Sequence, residues 1–245
     1  MNYKLQFPEK KPFSLYDIKI PHTLRAMVLA PHPDDFDAIC VTMKLLKDNG
    51  NPISVMVLTS GASGVETGYK DVDSIKEKTH LREKEQANSC NFFGLPSRRL
   101  QFSNLTEDSN GHPEENEKNM EKINAVMQDF APDMVFLPHG NDTNDGHKRI
   151  YLMVKALMEQ ETDRFIMFLN KDPKTIAMRL DAFTPYNEEK AVWKARMLRF
   201  HDSQQQRNLN VRNLGFDERV IGMDKETATT LKLSVPYAEA FELLV

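Results

Sequence analysis

Ala26-Met-Val-Leu-Ala-Pro-His-Pro-Asp-Asp-Phe-Asp-Ala38 opens on five apolar residues that Pro31 cuts short, the pattern of a buried strand. From Ala38 to Asn49 the apolar residues Ile39, Met43 and Leu46 recur at helical spacing, and Gly50 with Pro52 closes the segment. Ile53-Ser-Val-Met-Val-Leu58 is a second apolar run, so the region reads as a βαβ unit with two parallel strands in one sheet. Farther along, the alternation repeats. Ser74 to Phe93 reads as a long helix ended by Gly94 and Pro96, Leu100 to Phe102 as a short strand, and Asn119 to Phe130 as a helix. Met134 to Leu137 follows as a strand, then a polar loop from His139 to Lys148 and a helix from about Ile150 to Met158. Phe165 to Leu169, Thr175 to Leu180 and Ala238 to Val245 read as strands, and Glu188 to Gln206 as one long helix. This order predicts an α/β fold, a Rossmann-like three-layer α/β/α sandwich on a mainly parallel sheet. Sites in such folds collect outside the carboxyl ends of the strands.

The chain has 245 residues, enough for one substantial core, and reads as a single domain over 1–245 with its motifs between about 26 and 205. Lys and Arg number 32 against 36 Asp and Glu, a net charge of -4 that argues against nucleic acid as a partner. The only cysteines, Cys40 and Cys90, fall in apolar helical patterns and read as small buried hydrophobes, not as a disulfide framework. Met1 to Lys19 contains no apolar run of the kind an export signal needs, and no stretch approaches the roughly 18 apolar residues of a membrane span. A cytoplasmic location is expected. The oligomeric state is not legible, and homo-oligomerisation stays open.

Two loops could carry chemistry. Pro31-His32-Pro33-Asp34-Asp35 packs one imidazole and two carboxylates into a βα turn, with prolines fixing the backbone on either side of the histidine. His32 and Asp35 can share one divalent cation, which leaves Asp34 free to act on a bound water. A helix N-cap would use one carboxylate and explain neither the second nor the histidine. The other loop is His139-Gly-Asn-Asp-Thr-Asn-Asp-Gly-His147. Its composition alone suits Asx turns, but a catalytic zinc usually takes three protein ligands, and His139 or His147 would complete the set.

These features resemble the PIG-L or LmbE-like metal-dependent N-deacetylases, whose GlcNAc-PI de-N-acetylase-like members act on N-acetylated amino-sugar conjugates. The likeness rests on Pro31 to Asp35, on Arg82 and Glu85 ahead of a helix end at Gly94, and on Asp142-x-Asn144-x-x-His147. The segment Lys194 to Gln204, with His201-Asp-Ser203-Gln204, looks like the family's Lys…Ser-Gln element. The resemblance implies His32, Asp35 and His147 as metal ligands, Asp34 as the base, and Zn2+ or another divalent transition metal as cofactor. It further implies Arg82 and Asp142 as substrate contacts and Asn144 as a hydrogen-bond donor to the oxyanion. On the residues alone, Arg82 reads as half of a surface ion pair with Glu85. His22, His80, His112 and His201 read as solvated or packed, and Trp193 as core.

The chain departs from the family pattern at Phe36, where a Glu is usual, and at Asn144 and Gly146, where the family has His and Asp. The first expectation is a zinc-dependent hydrolase that removes the acetyl group from an N-acetylglucosamine-type conjugate. The departures define a second, a degenerate member that binds a sugar conjugate without turnover. A magnesium-dependent phosphoryl transferase built on Asp34 and Asp35 is a third, disfavoured because magnesium does not call for His32 and His147.

Overall fold

The computed structural model describes residues 5–160 and 165–245; residues 1–4, part of the stretch read for an export signal, lie outside them. Among the described residues eight strands form one sheet: β1 (Phe13–Ser14), β2 (Ala26–Ala30), β3 (Ile53–Val57), β4 (Leu100–Phe102), β5 (Met134–Pro138), β6 (Ile166–Asn170), β7 (Ala182–Tyr186) and β8 (Tyr237–Leu244). The spatial order is β1-β7-β8-β6-β5-β2-β3-β4. Every pairing is parallel except the two made by β8, which runs antiparallel to β6 and β7.

Eight α-helices among the described residues accompany the sheet: α1 (Asp35–Ala38), α2 (Cys40–Asp48), α3 (Ile75–Phe93), α4 (Glu117–Phe130), α5 (Asp145–Gln160), α6 (Glu188–Leu198), α7 (Asp202–Arg212) and α8 (Phe216–Thr230). Because strand side chains alternate, the same strands feed two cores. Val28, Val55, Phe136 and Phe168 pack with Met43, Phe93 and Met197 on one face. Leu29, Met56, Val135 and Met167 pack with Ile123, Met127, Ile150 and Val154 on the other. This is the expected three-layer arrangement. No helix among the described residues is long and apolar enough to cross a membrane.

The strand order places the chemistry. From β2 the chain moves outward through β3 to β4, then returns so that β5 pairs with the free side of β2. The loops after β2 and β5, about a hundred residues apart in sequence, therefore leave neighbouring strand ends at the topological switch point.

Several expectations are corrected. Thr175 to Leu180 is not a strand: Thr175 makes only an isolated bridge to Asp142, and the next strand is β7. Pro185 argues against a strand there in sequence. It is tolerated because β1 covers only Ala182 and Phe183, so no neighbour on that side needs its missing N–H. The long helix from Glu188 is two helices, broken at Arg199 to His201. The carboxylate of Glu85 accepts from the Ser203 amide at 2.7 Å and caps the first turn of α7. Helix α8 has no clear apolar period in the sequence because its buried stripe, Val220, Met223, Asp224, Thr227 and Ala228, includes polar residues. Helix α5 begins at Asp145, so His147 stands in its first turn.

A buried ionic cluster supports the first motif from below. Lys194 is fully buried and donates to Asp224 (2.6 Å), Glu239 (2.7 Å) and the Ala38 carbonyl (2.5 Å). Burial alone would lower its pKa, but the two carboxylates outweigh that and raise it. Burial pushes Asp224 up to about 6 even beside the lysine. Glu239 accepts from the amides of Val41 (3.0 Å) and Thr42 (2.7 Å). Helix α2 has no side-chain cap of its own, so a carboxylate from β8 satisfies the open N–H groups at its start.

Candidate active site

His32 and Asp35 leave the end of β2 together. The Asp35 Oδ2 oxygen accepts from the His32 amide at 2.7 Å and lies 3.3 Å from His32 Nδ1. From the first turn of α5, His147 brings Nε2 to within 3.4 Å of the other Asp35 oxygen. The two imidazole rings are 5.2 Å apart. Ligand atoms of His32, Asp35 and His147 all lie within 4.8 Å of one another. Two imidazoles and a carboxylate at this spacing are a donor set that suits a transition metal such as zinc.

The group is electrostatically tense as it stands. Burial favours a neutral Asp35, yet His147 and His32 outweigh it and hold the carboxyl far below the usual carboxylate range. Burial would lower His147, but Asp35 and the Asp142 hydrogen bond raise its pKa to about 10.

Asp142 sits behind His147, fully buried, with its Oδ2 3.2 Å from Nδ1. A carboxylate there accepts a hydrogen bond from Nδ1–H and so turns Nε2 toward Asp35 as the nitrogen that could ligate a metal. Asp142 also accepts from the Asn144 amide at 2.7 Å, and Asn144 Oδ1 from the Gly146 amide at 2.9 Å, so the turn is built from consecutive Asx contacts. With its oxygen engaged in this way, the Asn144 side-chain NH2 has no hydrogen-bond partner among the described residues and can donate. A Cβ at residue 146 would come within 2.9 Å of His32 Nε2, so a larger residue there would require the imidazole to shift.

Asp34 is held in an unusual conformation, with φ of 129°. Three contacts from α3 maintain it. Gln86 accepts the Asp34 amide at 2.8 Å, and Arg82 donates both to the Pro33 carbonyl and to Asp34 Oδ2, the latter at 2.8 Å. Arg82 is 1% exposed, which corrects its reading as a surface residue. Its other terminal nitrogen donates to Glu85 at 2.9 Å and lies 3.3 Å from Ser203 Oγ. Burial would lower the guanidinium pKa, but Asp34 and Glu85 outweigh it and raise it. Gly61, at φ +62°, presses on the same corner, where a Cβ would meet Pro33 at 2.7 Å.

These residues floor a cavity of about 680 Å³. The loops after β3 and β4 contribute Gly61, Ser63, Gly64, Asn110 and His112; α7 and α8 contribute Gln204, Arg207, Arg212, Phe216 and Arg219. His112, read as solvated or packed, lines this cavity. His139 does not: it stacks on Tyr151 and its Nε2 is 3.4 Å from Glu242. His22 and His80 are exposed, and His201 is buried with Nε2 3.1 Å from Asp37. Asp37, one residue after Phe36, also binds Gln86 (2.9 Å) and Ser89. Sequence reasoning missed Asp172, which follows β6, lines the cavity and forms a second ligand-capable group with Asp142 and His147. Burial raises its pKa, partly offset by His147 and Lys174. An acid just past a strand end was its one visible signal.

The sequence profile of the family described as GlcNAc-PI de-N-acetylase, PIG-L, matches residues 27–158, more than half of the chain. A probable N-acetyl-alpha-D-glucosaminyl L-malate deacetylase 2 of Bacillus cereus is 33% identical over 120 residues, 46% of this chain and 52% of that protein. The match thus spans about half the length of that relative. Among solved structures, the N,N'-diacetylchitobiose deacetylase of Pyrococcus horikoshii superposes with a TM-score of 0.70 at 16% identity, covering 90% of this chain and 83% of the other. The 4-carboxy-2-hydroxymuconate hydratase GalB of Pseudomonas putida superposes at 0.69 with 15% identity, covering 91% and 96%. At such identities the likeness is one of fold, and the hydratase shows the fold carrying another chemistry.

Proposed function

Given that the chain belongs to the PIG-L family of GlcNAc-PI de-N-acetylases, we propose that it is a metal-dependent hydrolase of the amide bond in an N-acetylated amino-sugar conjugate, carried by a single domain. The observation that carries this reading is the convergence of His32, Asp35 and His147 within 4.8 Å, with Asp34 beside them in the same turn. His32, Asp35 and His147 would hold the cation, for which Zn2+ fits the mixed nitrogen and oxygen donors. Bound there, a divalent metal polarises the acetyl carbonyl and makes a water acidic enough to lose a proton near neutral pH.

The chain's own groups do the rest. Asp34 takes the proton of the attacking water, its carboxylate kept in place by Arg82 at 2.8 Å. Asn144 offers its side-chain NH2 to the negative charge that develops on the carbonyl oxygen. As the C–N bond breaks, Asp34 returns the proton to the departing nitrogen, and acetate and a free amine leave. Asp142 acts through His147 as a positioning residue, and Arg82 does the same through Asp34.

The test is acetate release from a panel of N-acetyl sugar conjugates by protein loaded with Zn2+, alongside a metal-to-protein ratio. One metal per chain with release from at least one conjugate is expected. Metal bound with no release from any conjugate would overturn the hydrolase reading. Asp142→Asn is expected to lower metal affinity about 10–100-fold by loosening His147. Competition against a chelator measures this, and unchanged affinity would remove Asp142 from that role.

A further inference from the structure

Asp37 is a fully buried acid to which the hydrolytic steps give no task. Phe36 turns into the core, its ring edge-on to Phe93 at 5.0 Å, so the acid of this turn that faces α3 is Asp37. Donors meet its carboxyl from two helices. Ser89 donates its hydroxyl to Oδ1, Gln86 Nε2 donates to Oδ2 at 2.9 Å, and His201, at the break between α6 and α7, brings Nε2 to 3.1 Å from Oδ2. Such a set offsets the cost of burying a carboxyl, and it also fixes where the carboxyl points.

The side-chain amide of Gln86, itself fully buried, spans from this carboxyl to the first motif. Its Oε1 accepts the Asp34 amide at 2.8 Å, while Nε2 meets Asp37 on one side and Cys90 Sγ, at 3.4 Å, on the other. Asp37 closes the ring from the main chain, donating its own N–H to the Asp34 carbonyl at 3.0 Å. Asp34 is therefore gripped at both its N–H and its C=O. A φ of 129° is sparsely populated by any residue but glycine, and such a conformation persists only where neighbours over-determine it.

The two ends of a carboxamide are alike in shape and opposite in hydrogen bonding. Turned end for end, Gln86 would set its NH2 against the Asp34 N–H and its oxygen against the Asp37 carboxyl, two unpaired contacts in place of two bonds. The acceptor at Asp37 thus selects the orientation in which Gln86 can hold Asp34. Arg82 fixes the Asp34 side chain, and Gln86, one turn further along α3, fixes its backbone.

We propose that Asp37 is a positioning residue for the base: acting through Gln86, it holds the Asp34 backbone at the angle from which the Asp34 carboxylate meets the attacking water. The bracing itself stands on the hydrogen bonds, whereas its service to turnover rests on the deacetylase reading.

Two measurements on the full chain test this. Hydrogen exchange of the Asp34 amide, followed by NMR without metal or substrate, is expected to run at least ~10-fold faster in Asp37→Ala and in Gln86→Met, taken relative to the Val28 amide in β2 so that a general loss of stability cancels. In acetate release by the Zn2+-loaded protein, Asp37→Ala is expected to lower kcat about 10–100-fold with KM nearly unchanged, as for a reacting group moved out of line. Asp37→Asn should recover most of both, because its oxygen can still receive Gln86 while its NH2 turns to the Ser89 hydroxyl, which can accept. In a Gln86→Met chain, Asp37→Ala should cost little further kcat, since the two residues act as one unit. Should Asp37→Ala fail to fold, Asp37→Ser, whose hydroxyl is one bond too short for Gln86, takes its place. Unchanged relative exchange at Asp34, effects of Asp37 and Gln86 that multiply, or an Asp37→Asn protein as slow as Asp37→Ala would each overturn the proposal. The two readings fail separately. Faster Asp34 exchange in the variants with no acetate release from any conjugate supports the bracing and counts against the deacetylase, while release undiminished in Asp37→Ala sinks the positioning role and leaves the deacetylase standing.

Discussion

Asp34→Asn is expected to keep its metal and lose about 10²–10⁴-fold in turnover, the usual range for removing a general base. The substitution is nearly isosteric, and asparagine tolerates positive φ better than most residues, so the backbone at 129° can persist. The amide oxygen can still accept from Arg82, which preserves the corner formed with Pro33 and Gln86. What disappears is the capacity to take and return a proton. Because His32, Asp35 and His147 are untouched, elemental analysis should find the same metal content as in the unaltered protein. Undiminished acetate release from that variant would falsify the assignment of Asp34 as the base.

Arg82→Leu is expected to destabilise the protein by about 3–5 kcal/mol, the range for breaking a buried ion pair from one side. The guanidinium is 1% exposed and donates to Asp34, Glu85 and the Pro33 carbonyl, so its removal strands two carboxylates in a low-dielectric corner. Glu85 retains the Ser203 amide and hydroxyl, whereas Asp34 loses the one cation within ion-pair reach among the described residues. The surviving folded protein should therefore also turn over more slowly. Arg82→Lys should recover part of the stability but not the geometry, because one ammonium cannot span the three acceptors that the planar fork meets. Urea unfolding of the three proteins measures the first effect and acetate release the second. A midpoint for Arg82→Leu close to that of the unaltered chain would show that Arg82 is not the keystone of this corner.

The placements of Arg82 and Asp142 share a physical origin. Arg82 looked like a surface residue because three positions later stands Glu85, on a helix full of Lys and Glu, and local spacing cannot tell an exposed pair from a buried one. Its burial is decided by what packs over α3: the first motif, Gly61 and Ser203, all distant in sequence. Asp142, expected to touch substrate, lies behind His147 because α5 starts at Asp145 and turns the imidazole inward within one helical turn. A Cβ on residue 146 would crowd His32, so the glycine that looked like a lost carboxylate marks where the two motif loops touch.

From the residues alone came what is local. Five apolar residues stopped by proline, then two acids and a histidine, specify a strand and a functional turn within a single stretch, since both backbone restriction and side-chain chemistry act over a few bonds. The class of fold followed from repeating that unit. Tertiary structure alone decided which ends meet: that β5 returns beside β2, that His147 and not His139 reaches Asp35, and that Glu239 caps α2. Such pairings depend on burial and on groups a hundred or more residues away, and the free energy of a charge is set by what surrounds it, which no local pattern records.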